Sequence, residues 1–154
     1  MVRLEKLNED ERKMLLSIPC PTFETRPWVS GPPLGQRRVA IITTAGLHLR
    51  NDRPFQKDPN DFYRVIPGDI QANDLVMSHM SAGFDRTGYQ LDWNVVFPLD
   101  RLREMVAEGI IDSVADFHYS VNSAHQPAEF DTPVREITRL LKKDNVNAAL
   151  LLPV

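Results

Sequence analysis

The sequence predicts an α/β domain on an open, mostly parallel sheet flanked by helices, Rossmann- or flavodoxin-like. Three observations carry this. Arg38–Thr44 and Ala148–Val154 are apolar runs of strand length, as strands covered on both faces require. Amphipathic helical patterns follow Pro98 and Pro133 and alternate with the strand patterns. The chain has 154 residues, enough for one compact core.

Asn8 opens the first helical pattern, with Glu11 three residues on, a variant of the capping box. Met14, Leu15 and Ile18 share a face, and Pro19 ends the pattern. The stretch from Pro19 to Gly35 carries five prolines, Pro19 included, which forbids helix or central strand there. Residues 1–37 are therefore expected to be a helix and a proline-rich arm, and 38–154 the α/β domain. The arm holds Phe23, Trp28 and Cys20; Cys20 is read as a structural residue of it.

After the first strand, Ala45 to Asn73 shows no helical pattern, only the extended piece Tyr63–Ile66. A connection of that length is a functional-loop candidate. Asp74–Met77 reads as a second buried strand and Met80–Phe97 as a polar and aromatic loop. Pro98 opens a helix with Leu99, Leu102, Met105 and Val106 inward, closed by Gly109. Ser113–Tyr119 reads as a third strand. Asp131-Thr132-Pro133 starts a helix with Asp131 as cap and Val134, Ile137, Leu140 and Leu141 inward. Lys142 and Lys143 complement its C-terminal dipole.

A formal charge of −3 and isolated basic pairs argue against a nucleic-acid surface. No apolar run approaches a membrane span, and the charged start is not a secretory signal. A cytoplasmic protein is expected. A single cysteine excludes an internal disulfide and a cysteine-rich metal site. Dinucleotide, Walker, G-x-S-x-G and C-x-x-C motifs are all missing.

Ligands of open α/β sheets bind beyond the carboxyl ends of the strands. Here those ends run into Thr43, Thr44 and His48, into Ser78 and His79, and into His118 and Ser120. One histidine after a strand usually caps or packs, whereas several at one edge point to a site. The aromatic-rich loop adds Asp85, Arg86 and Asp92 as candidate binding residues, while Asp100 and Arg101 read as helix N-terminal charge. No zincin-type spacing supports a metal site. The residues alone name no reaction.

The strings RVAIITTAGLHLR, YRVIPGDI, DLVMSHMSAGFDRTGYQLDWNVVFPLDRLREMVAEGII and AALLLPV resemble the selenoprotein B family of glycine, sarcosine, betaine and D-proline reductases. The resemblance runs from Arg38 to Val154 and is nearest to the smaller D-proline reductase type of subunit. It implies reductive cleavage of a carbon–nitrogen bond in a small amino acid or its N-methyl derivative. A selenocysteine or cysteine does the reducing, and a pyruvoyl group, where used, sits on a partner subunit.

In that family a motif like LLLPV is followed at once by the reactive residue. The expectation is that the sheet is incomplete at the C-terminus, with the selenocysteine beyond Val154 and no cofactor within the 154 residues. His79 and His118 are then candidate proton donors, a role inferred from position. Thr43, Thr44, His48, Ser78, Asp85, Arg86, Asp92 and Ser120 are candidate substrate-binding residues. An uncovered last strand predicts a homo-oligomer. Two other readings stay open: a non-catalytic ligand-binding or scaffold subunit, and a metal-dependent hydrolase or isomerase on His48, His79, Asp85 and Asp92.

Overall fold

The computed structural model describes residues 3–19, 22, 24, 26, 29–58, 60–80, 84–122, 125 and 127–154. Its elements are α1 (Glu9–Ser17), β1 (Arg38–Thr43), β2 (Leu47–Leu49), β3 (Tyr63–Pro67), β4 (Leu75–Met77), α2 (Thr87–Leu91), α3 (Leu99–Ala107), β5 (Ser113–Val114), β6 (Phe117–Val121), α4 (Asp131–Lys143) and β7 (Ala148–Leu152). Cys20, Phe23 and Trp28 of the arm lie outside the described residues.

The fold is mixed α/β on a mostly parallel sheet. β1 pairs in parallel with β5 and β6 along one side and with β7 along the other. β3 is antiparallel to β6 at the far edge. Alternation along β1 separates the two faces: Val39 and Ile41 pack with Leu99, Leu102 and Ile111, so α3 covers one face. Ile42 joins Ile137, Leu140 and Leu141, so α4 covers the other.

Three expected strands come out differently. Asp74–Met77 does not enter the main sheet. Its last three residues are β4, which pairs antiparallel with β2 in a separate ribbon. β2 is three residues long, too short for its alternation to stand out from the loop. Ser113–Tyr119 is two strands, β5 and β6, broken at Ala115-Asp116. Asp144 spans that break, accepting from Asp116 N–H at 2.8 Å and Phe117 N–H at 3.2 Å while pairing with Arg38. β7 is only partly covered: Leu150 and Leu151 are 38% and 65% exposed, because no strand among the described residues pairs with its outer edge.

The helices follow their local chemistry. Asn8 Oδ1 accepts from Glu11 N–H at 2.8 Å and caps α1, yet no residue of α1 is buried and its apolar residues stay exposed. α3 ends on Gly109 at φ +71° and α4 on Asn145 at φ +55°, both left-handed stops. Asp131 is the first residue of α4, not its cap, and bonds Arg135 one turn on. Val134 is half exposed. The loop 80–97 also folds more than expected, into α2 and a 3-10 turn at Trp93–Val95.

Candidate functional site at the end of the central strand

β1 ends at Thr43 and the chain turns sharply through Gly46. Gly46 has φ +66°, and a Cβ there would lie 3.1 Å from the Ser78-His79 backbone. Glycine is needed on both counts. The Gly46 carbonyl accepts from Ser78 N–H at 2.8 Å, extending the β2–β4 ladder by one bond. The ribbon is thereby fixed against the end of β1.

Thr44 joins this turn to β7. Its N–H donates to the Leu152 carbonyl at 3.0 Å, and its Oγ1 accepts from Val154 N–H at 2.8 Å. Val154 and Leu152 also pack against the core on the α3 side. Thr44, Gly46, Ser78, His79 and the backbone of Val154 therefore gather at one place.

His48 is 2% exposed. A carbonyl only accepts, so Nδ1 donates to Leu49 O at 2.7 Å. Nε2 lies 2.8 Å from Ser78 Oγ, and with one proton on the ring the serine is the donor. His79, the next residue after Ser78, is buried and stacked on Phe84 with centroids 4.4 Å apart. Its carbonyl accepts from Arg86 at 2.8 Å, so Arg86 holds the loop that carries the imidazole.

The remaining candidates face inward or stand apart. His118, Thr43 and Ser120 are fully buried, and each accepts one backbone N–H: Ile41 at 3.0 Å on His118 Nδ1, Ala45 at 3.2 Å on Thr43, and Leu47 at 2.7 Å on Ser120. They build the turn and anchor β2 to β6. Burial pushes the His118 pKa down to about 4, and its Nε2 meets no hydrogen-bond partner among the described residues. Asp85 is exposed and caps Thr87 N–H at 2.9 Å. Asp92 caps the 3-10 turn through Asn94 N–H at 2.9 Å. It lines a separate groove with Arg50 and Asn73 at the opposite end of the ribbon. Among the described residues no group of three could hold a metal ion.

A second polar feature was not read from the sequence. The Asp61 carboxylate is 1% exposed and takes Arg64, Arg53 and Gln56 N–H. Burial works to raise its pKa, but the Arg64 and Gln56 hydrogen bonds outweigh it and hold the carboxyl below the usual range. Arg64 also lies 4.3 Å over the Phe55 ring. Asn122, just past β6, donates to the Asp61 and Gln56 carbonyls at 3.0 Å each. Asp61 and Arg64 border a cleft of about 570 Å³ with Arg53, Glu129 and Glu136 on its walls. The signal was available in Asp61-Phe62-Tyr63-Arg64, an acid and a base three apart around two aromatics.

Residues 3–153 match the family described as Glycine/sarcosine/betaine reductase selenoprotein B. The D-proline reductase subunit gamma of Acetoanaerobium sticklandii is 35% identical over 115 residues, 73% of this chain and 47% of that protein. The glycine reductase complex component B subunit gamma of Symbiobacterium thermophilum is 30% identical, over 86% of this chain and 32% of its own. The betaine reductase complex component B subunit beta of Peptoclostridium acidaminophilum is 29% identical, over 96% and 35%. The chain thus spans less than half the length of these relatives. No solved structure matches it significantly. No helix among the described residues is long and apolar enough to cross a membrane.

Proposed function

The chain belongs to the glycine/sarcosine/betaine reductase selenoprotein B family, and from that premise we propose that it is a subunit of a reductase that cleaves a carbon–nitrogen bond in a small amino acid or its N-methyl derivative. The net step breaks one C–N bond and places a hydrogen on carbon and another on nitrogen. Two electrons come from a selenol or thiol, which ends oxidised in a bond to a second thiol. The relatives are named as subunits of reductases or reductase complexes, which supports a partner subunit; any pyruvoyl group belongs to it.

One observation carries the placement: Thr44 holds Val154 N–H at 2.8 Å, in the turn whose Gly46 abuts His79. In this reading the reducing residue follows Val154, and its selenol or thiol supplies the electron pair at this rim. The Thr44 hydroxyl fixes the Val154 backbone on which that residue follows. His79 protonates the departing amine. His48 holds the Ser78 hydroxyl, and Arg86 holds the His79 loop. His118, Thr43 and Ser120 become positioning residues, since their acceptors are already used by backbone N–H groups.

The test is turnover by the native complex that carries this chain. Dithiothreitol supplies electrons, and D-proline, glycine, betaine and sarcosine are each offered with products read by mass spectrometry. A thiol-dependent, alkylation-sensitive C–N cleavage is expected. Binding of these compounds without any cleavage would favour the ligand-binding subunit instead. The gene is read past codon 154 in parallel; a selenocysteine or cysteine codon next in frame is expected, and any other codon overturns the placement.

A further inference from the structure

The structure leaves two apolar surfaces uncovered, one beside an acidic helix turn and the other beside a basic one. The first is α1. Met14 and Leu15 are 60% and 43% exposed, on the face they share with Leu7 and Ile18. Its first turn carries Glu9, Asp10 and Glu11. The second is a groove of about 660 Å³ between the C-terminal half of α4 and the Val65 end of β3. Val65 and Phe117 form its floor, 40% and 46% exposed, and Leu140 lines its α4 wall.

The groove's own acids are already engaged. Asp144 binds Arg38 and two backbone N–H groups, and Asp116 binds Arg38. The base without a partner among the described residues is Lys143, beside Lys142 in the last turn of α4. In α1 Glu9 pairs with Lys13, which leaves Asp10 and Glu11, one turn before Met14 and Leu15, to meet that base. Amphipathic helices dock in apolar grooves through side chains three and four apart.

We propose that α1 of one copy of this chain docks in the β3–α4 groove of a second copy, with Met14 and Leu15 over Val65 and Phe117 and the acidic first turn toward Lys143. Within its own copy α1 buries no residue, so the groove is left to another. The reach is ample: residues 18–37 join α1 to β1 and extend to roughly 65 Å. Exchange of two arms between two copies makes a closed, isologous dimer.

Two single-cysteine versions of the full chain test this, Met14→Cys and Val65→Cys, each with Cys20→Ser. Mixed and gently oxidised, they are expected to give a disulfide-linked heterodimer well above what either gives alone. Light scattering of the unmodified chain is expected to show a dimer that Lys143→Glu weakens about tenfold and that added Asp10→Lys restores. A monomer at every concentration overturns the proposal. A third version with both cysteines on one chain is the control: a cross-link that forms only in it means docking in the same copy and also overturns the proposal. A dimer indifferent to both substitutions places the contact elsewhere and equally overturns it.

Discussion

The Thr44 hydroxyl oxygen accepts from the backbone N–H of Val154 at 2.8 Å, two residues before the glycine that abuts His79. With the Thr44 N–H to Leu152 carbonyl bond, it ties the end of β7 to the end of β1. Thr44→Val removes the acceptor and leaves a half-buried N–H unpaired, at a cost of about 1 kcal/mol. Amide exchange at Val154 should accelerate while that of Ile41 stays slow, and Thr44→Ser should keep the protection.

Gly46 sets the distance between the turn and the Ser78-His79 backbone. Gly46→Ala adds a Cβ at φ +66° and 3.1 Å from that backbone. Left-handed strain and the contact together cost about 2 kcal/mol. Urea melts check the stability, and the His79 ring resonances in a proton NMR spectrum should shift in the same variant.

His118 makes the fold acid-sensitive. Its folded pKa of about 4 lies below the ordinary 6.5 because burial disfavours the imidazolium. The stability it contributes is complete above pH 6.5 and is lost as pH falls toward 4, since only the unfolded chain takes up the proton. The loss amounts to about 3 kcal/mol. Stability measured across that range should flatten in His118→Asn relative to the parent.

Asp61 organises the segment that leads into β3. Asp61→Asn leaves Arg64, itself 10% exposed, without its buried carboxylate, and should cost about 3 kcal/mol. The comparison is Asp52→Asn, whose carboxylate is 40% exposed against the same arginine and should cost under about 1 kcal/mol. Equal losses in urea melts would contradict this account of the cluster.

Much of the architecture was legible in the residues. The runs at β1 and β7, the stripes of α3 and α4, Asn8 as a cap and Gly109 as a stop are local properties, decided within a few residues of chain. The family was legible for a related reason: strings such as TTAGLHL and D-x-N-x-V-F-P-L-D combine many local constraints. In the folded chain the second string is a knot, with Trp93 Nε1 donating to Asp100 at 2.7 Å and Asn94 bridging Asp92 and Asp100.

What tertiary structure alone decided was pairing and depth. Strand pattern shows which residues are apolar but not which strand they meet, so β4 left the main sheet for the β2 ribbon. Polarity likewise cannot distinguish a serine that faces a ligand from one that receives Leu47 N–H. His48, His79 and His118 look alike in sequence. Folding brings the first two together through Ser78 and shuts the third behind β1, because a side chain's access to solvent is set by residues far away in the chain.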